Sequence, residues 1–363
     1  MHTPVRRDHL EFAAALDRAL ARPRASHVWS PYSVGTVLCL LAAGSSGGTR
    51  DELESLLGAD PHALLTSLDG AAGAQEGPEL AAFNGLYIPD GLAVRPAFTE
   101  LVRARPAAEV RGADVRGDPE GVRRRINAKA AEATRGLVPE LLPPGSVGPD
   151  VRMLLANALW AKVVWACPFE VRATRARRFH APGGDRTVPA MHREGDLTFA
   201  RARGWRMVSL RGEHDLALDV LLAQGRDAVP DADTLEALYR ARRRTPVRLA
   251  LPRFAVRTGT GLLEPLARLG VRTLATDAAR FDGISGEPLK VDALLHQAVM
   301  RVDEKGAEGA AATAAVMVRA AAAPTRPVDF TVDRPFSFAL RRGGTLLFLG
   351  RVADPEDPGP ARG

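Results

Sequence analysis

The segment that most restricts this chain is residues 304–323, EKGAEGAAATAAVMVRAAAA. From Ala307, alternate positions are Ala307, Gly309, Ala311, Thr313, Ala315 and Met317, none charged, whereas the intervening set holds the acid Glu308. As a strand, such a run buries one small-residue face without burying a charge, because successive side chains point to opposite faces. As a helix it has good propensity but no distinct polar face, and as a solvent loop it is oddly apolar. Two readings stay open on these residues: an Ala-rich flexible linker, or a loop able to become a sheet strand. The second requires a sheet to receive it.

The rest of the chain is ordinary enough to supply one. Its 363 residues allow one large domain or two to three smaller ones. With 46% hydrophobic and 25% charged residues, it buries a core without disulfide staples, and collagen, coiled coil and bulk disorder are excluded. Cys39 and Cys167 sit in apolar runs with no metal spacing around them, and the eight histidines form no H-x-x-x-H pair. No metal and no cofactor are therefore expected. Residues 1–10 lack the apolar core of a signal peptide, which favours the cytoplasm, with an extracellular location as the alternative. The longest apolar run, 34–43, reads as a buried helix, so no membrane partner is expected.

The net charge of +6 invites a nucleic-acid reading, but only four of the 49 basic residues are Lys. That skew is a matter of composition. The runs Arg123–Arg125 and 240–244 lack the neighbouring aromatics of a stacking platform and read as solvated faces, so nucleic acid is not an expected partner.

Periodicity predicts helices over 8–21, from Ser30-Pro31 to Gly44, over 96–104, 120–134 and 262–269. Thr49 with Glu52 reads as a capping box opening a helix over 50–57, and 58–78 reads as loop with one brief helix. Strands are predicted over 80–88, 216–222, 247–251 and 254–256, several short ones within 188–223, and closely spaced ones in 328–352 with a turn at Gly343-Gly344. Residues 151–165 are mostly apolar around Asn157, as in a strand buried on both faces. Residues 291–302 mix strand and helix signals. No repeat and no linker divides the chain, which reads as one mixed α+β domain, 1–363.

Two motifs are decoys. Gly44 to Gly48 satisfies G-x-S-x-G with Ser46 in the nucleophile position, but a nucleophile elbow needs a strand entering the turn and here a helix enters. Gly259-Thr260-Gly261 is half a dinucleotide fingerprint with Glu264 in the third glycine position.

At residues 302–308, Val-Asp-Glu-Lys-Gly-Ala-Glu before the small-residue run, the chain resembles the hinge of the serpin reactive-centre loop. Phe330 to Phe336 and Leu347 to Val352 resemble the family's C-terminal signature. Ser30-Pro31-Tyr32-Ser33 through Gly44, Gly47 and Thr49 resemble its N-terminal helix pattern. Asn157-Ala158-Leu159-Trp160, Lys162, Trp165 and Pro168-Phe169 are similar to the central strand signature. Leu251 to Phe254, Leu269-Gly270, Phe281 to Ile284 and His296 fill the stretch before the hinge.

The resemblance implies an α+β serpin fold: a large central mixed β-sheet, two smaller sheets, about eight or nine helices and an exposed reactive-centre loop, about 304–329. It implies a monomer that is not an enzyme but a suicide inhibitor of serine proteases, trapped as a covalent acyl-enzyme when the cleaved loop inserts into the sheet. A non-inhibitory serpin acting as a substrate or binding protein is the alternative. The implied hinge is Glu304, Lys305, Gly306, Ala307, Glu308, Gly309, Ala310, Ala311, Ala312 and Thr313. Glu304 and Arg253 resemble the charge pair anchoring it; an exposed pair worth under about 1 kcal/mol is the bland alternative. Ser30, Ser33, Asn157 and His296 resemble the polar cluster that lets the sheet part, and Trp165 the tryptophan where insertion begins. Val163 departs from the family's common Gly. The usual loop length from Glu304 places the scissile bond at Ala320–Ala321, with Arg319 and then Met317 as alternatives preceding the bond, while counting back from Pro335-Phe336 gives a longer loop. Ala or Met implies elastase-like or subtilisin-like targets, and Arg trypsin-like ones.

Overall fold

The computed structural model describes residues 4–359 apart from 59, 73–79, 106–107, 162, 226–227 and 307–325. Helix α1 (Arg7–Leu20) buries Leu10, Phe12, Ala13 and Leu16, one stripe at helical spacing. The short strand β1 (His27–Trp29) leads into α2 (Pro31–Gly44). Ser30 caps α2 by accepting the Ser33 N–H at 3.0 Å, and Pro31 occupies the first turn, where its missing N–H costs nothing. Almost all of α2 is buried, as its apolar run requires.

Helix α3 (Gly47–Leu57) starts earlier than its sequence suggests, and the expected capping box is not formed. Thr49 Oγ1 accepts the Arg280 N–H at 3.0 Å, and Glu52 Oε2 accepts the N–H groups of Arg272 and Thr273, both at 2.9 Å. Glu52 thus satisfies the start of a 3-10 turn at Thr273–Ala275, and Thr49 the amide of Arg280 beyond it, instead of their own helix. The brief helix expected within 58–78 is α4 (Pro61–Ala72), twelve residues long and anchored by fully buried Leu64, Leu65 and Leu68.

Next come β2 (Leu80–Pro89), α5 (Pro96–Arg103), β3 (Ala108–Ala113), α6 (Pro119–Ala133) and β4 (Leu154–Ala161). Every residue of β4 is buried, as a strand covered on both faces must be. Strands β5 (Arg175–Ala181), β6 (Gly184–Ala202), β7 (Trp205–Arg211) and β8 (Leu216–Ala223) follow, then α7 (Ala232–Arg240), β9 (Arg243–Pro252) and β10 (Phe254–Gly261). The chain closes with α8 (Leu263–Arg268), β11 (Ala293–Val302), β12 (Val328–Thr331), β13 (Phe336–Arg342) and β14 (Thr345–Val352). The strand signal in 291–302 wins over the helical one because β11 is hydrogen-bonded on both sides.

Eight α-helices are present among the described residues. The central mixed sheet runs β10-β11-β4-β2-β3, with β11 and β4 parallel. The two smaller sheets meet as one hydrogen-bonded, nine-stranded sheet, β1-β14-β13-β8-β7-β6-β9-β12 with β5 on β6. The cause is β6, one strand of 19 residues where several short ones are expected. At roughly 3.3 Å per residue it is about 60 Å long, enough to pair β5 at one end and β7 at the other.

The central sheet lies between two apolar layers. Leu155 and Leu159 of β4 face the main core that also contains α2. Ala156 and Ala158 face a second cluster built on Val122, Ile126 and Ala130 of α6.

Candidate functional site

A polar row crosses the middle of this sheet. Asn84 of β2, Asn157 of β4 and His296 of β11 occupy registered positions, so three neighbouring strands each place one polar residue on the same line. All three are buried, on the face that meets the start of α2. Asn157 Nδ2 donates to Ser33 Oγ at 2.7 Å and to Asn84 Oδ1, and Ser33 Oγ donates to Asn84 Oδ1 at 2.9 Å. His296 Nε2 accepts the Ser30 N–H at 3.0 Å, so its proton sits on Nδ1, which donates to Asn157 Oδ1. Burial lowers the His296 pKa to about 3, keeping the ring neutral. Ser30, Ser33, Asn157 and His296 are thus joined in one network. Asn84 is not among the residues singled out from sequence, although a lone Asn in an apolar strand is the same signal that Asn157 gives. Its Nδ2 has no partner among the described residues.

The second constellation lies at the end of β11. Asp303 and Gly306 form a tight turn: Asp303 N–H donates to Gly306 O at 3.2 Å, and Gly306 N–H to Asp303 O at 3.3 Å. Gly306 has φ +104°, and a Cβ there would lie 1.8 Å from Val163 O, so only glycine fits. The turn is stitched to the segment after β4. Trp165 N–H donates to Lys305 O at 3.3 Å, Phe169 N–H to Glu304 O at 2.8 Å, and Trp165 Nε1 to Asp303 O at 2.9 Å. Trp165 is buried and meets Phe169 edge-on at 6.5 Å. Val163 is buried too, where Gly212 has no side chain: a Cβ on Gly212 would lie 2.7 Å from Val163 Cγ1.

Glu304 is fully buried, and the Arg253 side chain is only 12% exposed, so this is not an exposed surface pair. Arg253 Nη1 lies 3.6 Å from Glu304 Oε1, which also accepts from Thr174 Oγ1 at 2.6 Å. Neither the Thr174 contact nor Asp357, which flanks Arg253 Nε at 3.1 Å, was found from sequence, since both come from segments remote in the chain. Burial, reinforced by Glu304, pushes the Asp303 carboxyl above its ordinary range, against the Lys305 N–H bond and the nearby Arg301 and Arg253.

The remaining candidates fall outside the described residues: Ala307, Glu308, Gly309, Ala310, Ala311, Ala312, Thr313, Met317, Arg319, Ala320, Ala321 and Lys162. Ser46 lies in the turn between α2 and α3 and donates to Asp282 Oδ2 at 2.5 Å. No strand enters that turn, so the elbow geometry is absent.

The model of the serpin (serine protease inhibitor) family matches residues 8–355. The chain belongs to the serpin family. It is 33% identical to the putative serpin-Z6C of Oryza sativa subsp. japonica, with 91% of each chain covered. It is 32% identical to the leukocyte elastase inhibitor of Bos taurus, covering 90% of this chain and 92% of that one. Among solved structures, the fold of this serpin matches Serpin48 of the insect Tenebrio molitor with a TM-score of 0.81, at 23% identity over 96% of this chain and 97% of that one. It matches uncleaved ovalbumin with a TM-score of 0.82, at 20% identity over 97% and 100%. No helix among the described residues of this serpin is long and apolar enough to cross a membrane.

Proposed function

We propose that this serpin inhibits serine endopeptidases as a suicide substrate, one protease per monomer, with residues 1–363 acting as one domain and 304–329 as the reactive-centre loop. The observation that carries this reading is the parallel pairing of β11 with β4, registered from Ala293 on Leu154 to Val299 on Trp160. Two parallel strands side by side accept between them one strand antiparallel to both. A chain leaving the end of β11 and folding back runs in that direction, and the small, uncharged face from Ala307 to Met317 suits a buried place.

The protease serine attacks the scissile carbonyl, forms an acyl ester with the residue preceding the bond and releases the new amine end of the downstream chain. Insertion of the loop then carries the bound enzyme away before water hydrolyses the ester. Glu304, Gly306 and Trp165 form the hinge region where insertion starts. Ser30, Ser33, Asn157 and His296 form the cluster that releases β4 from β11. The bond assigned is Ala320–Ala321, then Arg319–Ala320, then Met317–Val318. The relative named as an elastase inhibitor supports a target with a small or apolar pocket.

Incubation with elastase, subtilisin and trypsin tests the proposal. A covalent complex that survives SDS supports it; clean cleavage with no complex against all three overturns it. Mass spectrometry of the released C-terminal peptide reads the bond.

A further inference from the structure

Residues 354–359, beyond the last strand, lie against the central sheet at its hinge end. Asp354 pairs with Arg186 at 2.7 Å, and its N–H approaches Ser26 Oγ at 3.3 Å. Farther on, Ala255 N–H of β10 donates to Glu356 O at 2.8 Å, and Arg301 Nη2 of β11 donates to Pro358 O at 3.0 Å. These contacts fix the backbone on either side of Asp357. Its own carboxylate accepts the Gly359 N–H at 3.0 Å, which sets the rotamer. The carboxylate then meets Arg253 along one edge: Oδ2 accepts from Nη2 at 3.3 Å, and Oδ1 lies 3.1 Å from Nε as an ion pair without a hydrogen bond.

That edge-on contact leaves Nη1 for Glu304, 3.6 Å away. Glu304 depends on it. Its carboxylate is fully buried, and Oε2 has no hydrogen-bond partner among the described residues. A buried carboxylate in that state relies on the nearby positive charge. The Arg253 guanidinium sits on a long, flexible stem between β9 and β10 and is not completely enclosed, and among the described residues it is hydrogen-bonded to no residue of those strands.

We infer that Asp357 is a positioning residue for the hinge: it holds the Arg253 fork by one edge so that the other nitrogen stays on Glu304, and the C-terminal segment thereby sets how readily the hinge lets go. The inference rests on the hinge reading above but not on inhibition itself. Among the described residues, no hydrogen bond or ion pair joins Asp357 to the hinge except through Arg253.

Hydrogen exchange on the full chain tests it. The probes are the Trp165 and Phe169 amides, which are bonded to Lys305 O and Glu304 O. Asp357→Asn removes the charge and is expected to speed exchange at both amides about tenfold, the scale of one charge-assisted hydrogen bond, with amides of β7 and β8 unchanged. Asp357→Glu is expected to restore protection. In a Glu304→Gln background, Asp357→Asn is expected to add nothing, because the charge being served is gone. Unchanged or slower exchange in Asp357→Asn overturns the inference, as does an equal effect in the Glu304→Gln background. A parallel assay with subtilisin separates the two readings. If exchange responds as expected and no covalent complex forms with wild type, the positioning role stands and the inhibitory reading falls.

Discussion

His296 and Asn157 hold registered positions on β11 and β4, and their side chains are hydrogen-bonded to each other across the boundary between those two strands. No other pair in the network of Ser30, Ser33, Asn84, Asn157 and His296 joins these two strands side chain to side chain. Four expectations follow from this contact and from the hinge.

Replacing Asn157 with Leu keeps the branched outline at a larger volume, strands the His296 Nδ1 proton and removes a donor from Ser33 and Asn84. Buried groups left without partners are expected to cost about 2–3 kcal/mol. A thermal midpoint lowered by several degrees checks this; an unchanged midpoint would mean that water replaces the lost bonds.

Acid stability is expected to depend on two histidines. His296 and a second histidine outside the network, His9 of α1, whose Nε2 accepts the Leu346 N–H of β14 at 3.2 Å, are both buried, and burial lowers their pKa values to about 3 and about 4, against about 6.5 in the unfolded chain. The unfolded state therefore binds more protons between these limits. Their contribution is complete above pH 6.5 and is lost as pH falls toward 4 and then 3, at up to about 1.4 kcal/mol per pH unit for each residue. Unfolding midpoints measured from pH 8 to pH 4 should decline less steeply in His296→Gln than in wild type.

Gly306→Ala places a methyl group on Val163 O at a φ that L-residues rarely adopt. Relief requires opening the Asp303–Gly306 turn, at a cost of about 1–3 kcal/mol or more. Trp165 packs on that turn, so its fluorescence should shift toward the solvent-exposed value, with faster quenching by acrylamide.

Ala311→Glu introduces an acid on the small face of the loop, and Ala307→Arg a base. An unpaired charge buried on insertion costs several kcal/mol, enough for hydrolysis of the ester to outrun trapping. With a protease that the wild type traps, both variants are expected to be cleaved without forming an SDS-stable complex. Complexes formed as in wild type would refute the insertion account.

The sequence is most readable where one physical demand dominates. An apolar run interrupted by Asn157 reads as a strand buried on both faces and is one, and Ser30-Pro31 before another apolar run reads as the start of a buried helix and is one. It misleads where a residue type has two uses. Thr49 and Glu52 have the spacing of a capping box, yet their oxygens satisfy amides more than 200 positions away. The length of β6 is hidden because its residues mix exposed and buried sites along three different partner strands. Asn84 has the same lone-polar signal in an apolar strand as Asn157, whereas Thr174 and Asp357 carry no local pattern, because each matters only through the side chain that the fold brings beside it.

The polar row has a further effect on how the molecule yields. Separating two strands lined with leucine would leave bare hydrocarbon in contact with solvent, and the gap would close at once. Along the line of Asn84, Asn157 and His296, a crack that admits water finds donors and acceptors ready to be hydrated. Wetting is expected to be cheapest at that line, so heat and denaturant are expected to open the sheet where the proposed insertion would also begin to part β4 from β11.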